Sequence, residues 1–162
     1  MGLVAVIIMW VMYEHPEENF LDLATVTYDI EGKTATFVVT GLPAGRSAWV
    51  MEQGAMSIAK DVQTNYLGCV TTYRDGVSAT ADEITIRSEG NMLTAVNNTD
   101  RTLDNVFIYY KTLHSDGNFF GGITYLVDFG TLAPGGSAQS IAGHFQEGKT
   151  EIVRIGWQER RS

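Results

Sequence analysis

The chain of 162 residues contains a single cysteine, Cys69. One thiol cannot form an intrachain disulfide, and it cannot build a cysteine-based metal cluster. The surrounding sequence GCVTTY is apolar and offers no cationic neighbour that would stabilise a reactive thiolate. We therefore expect Cys69 to be a small residue of the hydrophobic core.

Basic residues are also scarce. The chain carries 11 lysines and arginines against 19 aspartates and glutamates, which gives a formal net charge of -8. Proteins that bind nucleic acids normally present a basic surface, so we predict no nucleic-acid partner. The hydrophobic fraction of 44% is typical of a folded chain and not of a disordered one.

Residues with a recognisable catalytic or cofactor-binding spacing are missing as well. The only three histidines are His15, His114 and His144, and their separations match no metal-binding motif. The sequence has no G-x-S-x-G elbow, no P-loop and no dinucleotide fingerprint. We therefore predict a protein that is not an enzyme and has no catalytic residues, no metal site and no cofactor.

Two sets of acidic residues leave a calcium site and a hydrolytic site open as alternatives. Loop aspartates could supply oxygen ligands to calcium, although the EF-hand spacing is absent and such residues commonly form turns: Asp100, Asp104, Asp116 and Asp128. Converging carboxylates could hydrolyse a glycoside, for which Glu52, Asp82 and Glu83 are the candidates. A hydrolase that uses such a carboxylate pair is therefore kept as an alternative hypothesis.

The longest apolar run, LVAVIIMWVMY at residues 3–13, is too short for a membrane span, which needs about 20 apolar residues. It also lacks the basic segment and the cleavage site of a complete export signal. We interpret it as a buried strand, with the trimmed end of an export signal as the alternative.

The strongest pattern in the chain is a long β-hairpin between Leu103 and Ser137. The first strand, VFIYYKT, alternates β-branched and aromatic residues, which suits a half-buried sheet surface. Asp116-Gly117 predicts a tight turn, and Gly121-Gly122 predicts a bulge or a close backbone approach in the return strand. Four residues of that strand are predicted to share one face: Ile123, Tyr125, Val127 and Phe129.

Further short strands with alternating patterns occupy most of the chain. They are predicted at residues 20–30, 34–40, 47–52, 67–73, 83–87, 91–96 and 151–157. An acidic residue followed by glycine recurs as a turn at 31–32, 75–76, 89–90, 116–117 and 147–148. This pattern predicts an all-β fold of small antiparallel β-sandwich units in tandem, with residues 1–56 as the N-terminal unit and residues 57–162 as the C-terminal unit.

Aromatic residues are the best candidates for a binding surface. Phe119 and Phe120 at the hairpin tip and Tyr125 nearby are the tentative binding residues, because exposed rings can stack on sugars. Only one of two adjacent strand residues can face the core, so one of the two phenylalanines should be exposed. The alternative is that these rings are core residues and cross-strand pairs.

The motifs V-x-I-Y-Y-K, GGITY at 121–125, L-x-P-G at 132–135 and His144-Phe145 resemble a pattern in extracytoplasmic proteins of Gram-positive gut bacteria. More loosely, they resemble FxLYD-type modules. The resemblance implies tandem immunoglobulin-like β-sandwich modules that are secreted or anchored at the cell surface, with no assigned chemistry.

These observations predict a non-enzymatic extracytoplasmic module for interaction or display at the cell surface, with a carbohydrate-binding module as the alternative. The partner, a protein or a glycan, stays unknown. A homodimer through an unpaired edge strand is also possible, with residues 3–13 as the candidate edge.

Overall fold

The computed structural model describes residues 8–12, 20–52, 63–73 and 79–158, with the backbone alone at 8–12 and at 73. The predicted turn at 75–76, His15 and the ends of the apolar run at 3–13 lie outside these residues. The described residues form twelve strands: β1 (Ile8–Met12), β2 (Phe20–Ile30), β3 (Lys33–Pro43), β4 (Ser47–Met51), β5 (Thr64–Tyr73), β6 (Ile84–Glu89), β7 (Met92–Asn97), β8 (Leu103–Thr112), β9 (Phe119–Phe120), β10 (Tyr125–Leu132), β11 (Ser137–Ile141) and β12 (Thr150–Gln158).

The strands fall into two compact units. The first unit comprises residues 1–74 and 114–123, and the second comprises residues 75–113 and 124–162. Each unit contains two three-stranded sheets, so the predicted all-β fold with two small sandwich units is confirmed. The part of the chain that the structure describes holds no helix long and apolar enough to cross a membrane. The boundary between residues 56 and 57 stays a prediction.

In the first unit, one sheet has the order β3-β2-β5 and the other has the order β1-β4-β9. β2 and β3 form the predicted hairpin, and Glu31 and Gly32 at its turn both adopt positive φ, 53° and 75°. The buried face of β3 alternates as the period of two predicts, with Ala35, Phe37 and Val39 almost fully inaccessible. Burial of a large apolar side chain such as Phe37 or Val39 stabilises the fold by roughly 1.5–3 kcal/mol. It also fixes the register of the hairpin, because a slip of one residue would move these side chains to the opposite face.

In the second unit, the sheets have the orders β11-β7-β6 and β10-β8-β12. Their facing residues form one hydrophobic core: Ile84, Leu93, Ala95, Leu103, Val106, Ile108, Tyr110, Val127, Phe129, Leu132, Ala142, Phe145 and Trp157. The strands predicted at 83–87 and 91–96 are present as β6 and β7, and they pair antiparallel. Alternate residues of β8 supply the central layer of this core, as the sequence pattern indicates.

A buried asparagine fixes the turn after β7. Asn97 is fully inaccessible, and its Nδ2 donates to the carbonyl oxygens of Arg101, Leu132 and Ala133 at 2.7–3.1 Å. Its Oδ1 accepts from the backbone N–H and the hydroxyl of Thr99. Every polar atom of the Asn97 amide therefore serves the fold.

The prediction of the long hairpin is confirmed for the pairing of its two strands and is wrong at its tip. β8 and β10 pair antiparallel from Tyr110–Tyr125 to Leu103–Leu132. The predicted return strand through Phe119 does not exist as one element, because Phe119 and Phe120 form β9 and pair in parallel with β4 of the first unit. Ile123, predicted to share the buried face of β10, is 57% exposed before that strand begins.

Gly121 explains why the tip can join β4. A Cβ at this position would lie 2.3 Å from Val50 Cγ1, a distance that no side chain tolerates. The Gly121 N–H donates to the Trp49 carbonyl at 2.7 Å, and the Gly121 carbonyl accepts from the Thr40 N–H at 2.8 Å. The predicted close backbone approach at Gly121-Gly122 is thus present, and it occurs at the first glycine.

The prediction that Cys69 belongs to the core is wrong, because its side chain is exposed. It lies on β5, which pairs with β2 at the edge of its sheet. Nearly every described side chain of β5 is exposed, including Leu67 and Val70. An apolar sequence pattern does not reveal whether another layer packs against a strand. The described side chains of β5 are exposed, so little of the described chain packs against them.

Candidate functional site

The tip of the hairpin presents one buried and one exposed phenylalanine. The parallel register places Phe119 beside Ala48 and Phe120 beside Trp49. Ala48 and Phe119 are fully buried, whereas Phe120 is 43% exposed. The prediction that only one phenylalanine faces the core is therefore confirmed, and Phe120 and Trp49 share the opposite face of the strand pair.

Phe119 anchors the tip to the first unit. The Arg46 guanidinium lies over its ring, with the Arg46 Cζ 4.4 Å from the ring centroid. A cation above a buried aromatic face adds a directional attraction to the hydrophobic burial. Phe119 therefore supports the exposed side of the tip from beneath, and its buried ring is not available to a binding partner.

A single carboxylate orders the exposed side of the tip. Trp49 Nε1 donates to Asp116 Oδ2 at 2.6 Å, and His114 Nδ1 lies 3.0 Å from Asp116 Oδ1. The backbone N–H of Asn118 donates to the same Oδ1 at 3.0 Å. Hydrogen bonds to its ionised form, first from the Asn118 backbone and then from the side chains of Trp49, Asn118 and His114, hold the pKa of Asp116 far below its usual range, although burial acts in the opposite direction.

The rings around this carboxylate meet at their edges. The His114 ring lies 6.4 Å from the Trp49 ring at 63°, and 5.4 Å from the Phe120 ring at 80°. We call Trp49, His114, Asp116 and Phe120 the tip cluster. An edge-to-face contact occupies the face of only one of its two rings, whereas stacking occupies a face of both. The tip cluster therefore combines partly exposed aromatic rings with a fixed hydrogen-bond acceptor.

A second aromatic cluster lies in the second unit. The Tyr125 ring is stacked on Tyr110 at 5.0 Å and 23°, and on His144 at 4.7 Å and 25°. Phe145 meets Tyr110 edge-on at 5.5 Å. Burial raises the pKa of Tyr110. We call these four residues the stacked cluster. Tyr125 already carries two stacked rings, so its faces offer little area to a ligand.

The structure thus separates the three residues proposed from the sequence. Phe120 belongs to the tip cluster, Phe119 lies beneath it, and Tyr125 belongs to the stacked cluster of the other unit. Sequence reasoning missed His114 and Asp116 as partners of Trp49. The spacing His114-x-Asp116 within a turn was a usable signal, because it places two polar side chains on the same short loop. The distant partner Trp49 had no local signal.

No group of three histidine, cysteine or carboxylate side chains suited to a metal ion occurs within the described ranges. Two of the aspartates considered as calcium ligands accept hydrogen bonds from neighbouring groups of the protein. Asp128 Oδ1 accepts from the Gly130 N–H at 2.7 Å, and Asp104 Oδ1 accepts from the Thr131 hydroxyl at 2.9 Å.

The sequence matches no family model and no curated protein.

Proposed function

We propose that this chain is a non-enzymatic, extracytoplasmic β-sandwich module for interaction or display at a cell surface, and that the tip cluster is its contact surface. The observation that carries the proposal is the ordered group of Trp49, His114 and Phe120 around the Asp116 carboxylate. Exposed aromatic side chains held rigid in advance lose little conformational entropy on binding, which is why they dominate protein recognition surfaces. The extracytoplasmic location rests on the resemblance of the sequence motifs.

Site-specific photo-crosslinking in cells that produce the chain tests this contact surface. A benzoylphenylalanine replaces Phe120 in one variant and Leu126 in a matched control, since Leu126 is 59% exposed on the other unit. We expect discrete adducts from position 120 and none from position 126. Equal labelling at both positions, or no adduct at position 120, would contradict the assignment of the tip cluster.

A carbohydrate-binding function is the second candidate, favoured by the Trp49 indole being fixed beside a carboxylate. Sugar recognition combines a stacked aromatic ring with hydrogen bonds from hydroxyl groups to charged acceptors, and the tip cluster has both components. A glycan array probed with the wild-type chain and with Trp49→Ala/Phe120→Ala discriminates the two candidates. Binding that the double variant loses supports the carbohydrate function, and a blank array with the wild-type chain removes it.

A further inference from the structure

The edge formed by β5 differs from the other sheet edges of the molecule. β5 is ten residues long, its sequence TNYLGCVTTY contains no charge and no proline, and among the described residues it pairs with β2 alone. Proteins usually protect edge strands with charges, proline, bulges, short length or a covering segment, because an open edge is a template for pairing with another chain. Of these protections β5 retains only bulges, because its pairing with β2 is irregular on both sides of the stretch from Gly68 to Thr72.

Other edges in the described chain are protected. β6 and β12 carry charged residues, β10 carries a charge and two irregularities in its pairing, and β11 has five residues. β3 is capped in part by the hydrogen bond from the Thr40 N–H to the Gly121 carbonyl. β1, in the stretch first considered as a pairing edge, has five residues. β5 is therefore the longest edge among the described strands that has no charged residue and no proline.

The regular part of β5 is short and uncharged. Its pairing with β2 runs without interruption from Gly68 to Thr72, and Leu67 is the extra residue of the bulge that ends it. Val70 lies at the centre of this stretch and is 72% exposed. Alternate residues of an antiparallel edge strand direct their N–H and C=O groups away from the sheet. An antiparallel copy of the same stretch supplies the matching groups about a twofold axis.

Charge favours a second copy at this edge. Two chains of net charge -8 repel each other, so contact between them requires a surface without carboxylates. β5 is such a surface, with exposed Leu67 and Val70 in place of charged residues. An unrelated peptide added to a sheet edge gains specificity from side-chain pockets. The residues from Thr64 to Thr72 are exposed on both faces of β5, apart from the half-buried Gly68, which favours a partner that pairs through its backbone, such as a second copy of the same strand.

We propose that β5 pairs antiparallel with β5 of a second copy, centred near Val70, and forms a twofold-symmetric dimer with a continuous six-stranded sheet. The proposal is independent of the tip cluster. Because the described strands include one such edge, the assembly closes at two copies. Cys69 then lies opposite Thr71 of the second copy, and the two Cys69 residues become diagonal neighbours about 7–8 Å apart.

Light scattering after size exclusion, over a series of concentrations, tests the dimer. We expect the wild-type mass to double with concentration and Val70→Lys to keep the mass of one chain, because a lysine at the centre places like charges opposite each other. Ile141→Lys is the matched control, since Ile141 is 66% exposed on the edge strand β11. It should dimerise as the wild type does.

Cross-linking of the native thiol with a short bis-maleimide gives a second readout. The wild type should yield a covalent dimer through Cys69, and Val70→Lys should not. Circular dichroism confirms that both lysine variants stay folded. A wild-type chain that is monomeric at all concentrations, a dimer that survives Val70→Lys, or open-ended aggregates in place of a dimer would each overturn the proposal.

Discussion

The tip cluster and the stacked cluster are built from similar residues and differ in what their rings touch. Each contains a histidine and aromatic side chains from the β8–β10 hairpin and its connection. In the stacked cluster the rings lie face to face around Tyr125 and continue into the core through Tyr110 and Phe145. In the tip cluster the rings meet edge-on around a carboxylate, and Phe120 is 43% exposed. Ring geometry, and not the number of aromatic residues, therefore distinguishes a structural cluster from a candidate binding surface.

The largest effect should follow from truncating the stacked cluster. Phe145→Ala removes a ring that is 8% exposed and packs against Tyr110, so we expect a loss of about 3–5 kcal/mol in the free energy of unfolding. Phe120→Ala, the matched truncation in the tip cluster, should change it by no more than about 0.5 kcal/mol. Urea denaturation measures both values. Equal losses for the two variants would erase the distinction between the clusters.

The ionisable groups near the two clusters should respond to pH in different ranges. Lys111, on β8 next to Tyr110, is fully inaccessible, and burial lowers its pKa to about 7 from 10.5. Its Nζ donates to the Thr124 hydroxyl at 3.0 Å. Between about pH 7 and pH 10.5 the unfolded chain binds a proton that the folded chain does not, so stability should rise with pH in that window.

Lys111→Met removes this dependence. We expect it to stabilise the chain by about 1–4 kcal/mol at pH 6–7, since an apolar side chain of similar volume avoids the cost of a buried charge. Lys149→Met, at an exposed loop position, is the control and should keep the wild-type dependence. Denaturation at pH 6, 7, 8 and 9 checks this, and a Lys111→Met profile parallel to the wild type would refute the role of burial.

Adjacent glycines allow a sharper test of how the tip is held. Gly121→Ala forces a methyl group against Val50 and should cost about 1–3 kcal/mol. Gly122→Ala is the control, because its added Cβ meets nothing closer than the Val38 carbonyl oxygen at 3.7 Å. Thermal unfolding compares the two. A Gly121→Ala chain as stable as Gly122→Ala would show that the close approach to β4 is not required.

The smallest effect should be a local one at Asp116. Asp116→Asn removes the charged acceptor of the Trp49 indole N–H, so the indole proton resonance should move upfield while the melting temperature barely changes. Hydrogen bonds hold the folded pKa of Asp116 below 3.8, and the wild-type resonance should therefore stay constant as the pH falls from 7 to 4. Loss of the wild-type resonance position within that range would contradict the ordered carboxylate.

Local patterns predicted the strands and most of their turns, because alternation and acidic-glycine pairs are written into short segments. The hairpins β2–β3 and β6–β7 and the pairing of β8 with β10 follow from such patterns. The parallel pairing of β9 with β4 does not, since it joins Phe119 and Phe120 to residues about 70 positions earlier in the chain. Cys69 shows the same limit. Its apolar neighbours indicate a core strand, whereas its exposure depends on which layer covers β5.

The central claim is that the tip cluster is the contact surface, and its most direct test is a nuclear magnetic resonance titration of the wild-type chain with the partner captured at position 120, or with the best-bound glycan where the array yields one. The Trp49 indole N–H and the Phe120 ring report on the tip cluster, and the Tyr125 ring reports on the stacked cluster. We predict that the Trp49 and Phe120 resonances shift with saturation while those of Tyr125 stay in place. Shifts confined to Tyr125 would show that the binding surface lies in the stacked cluster and would contradict the account.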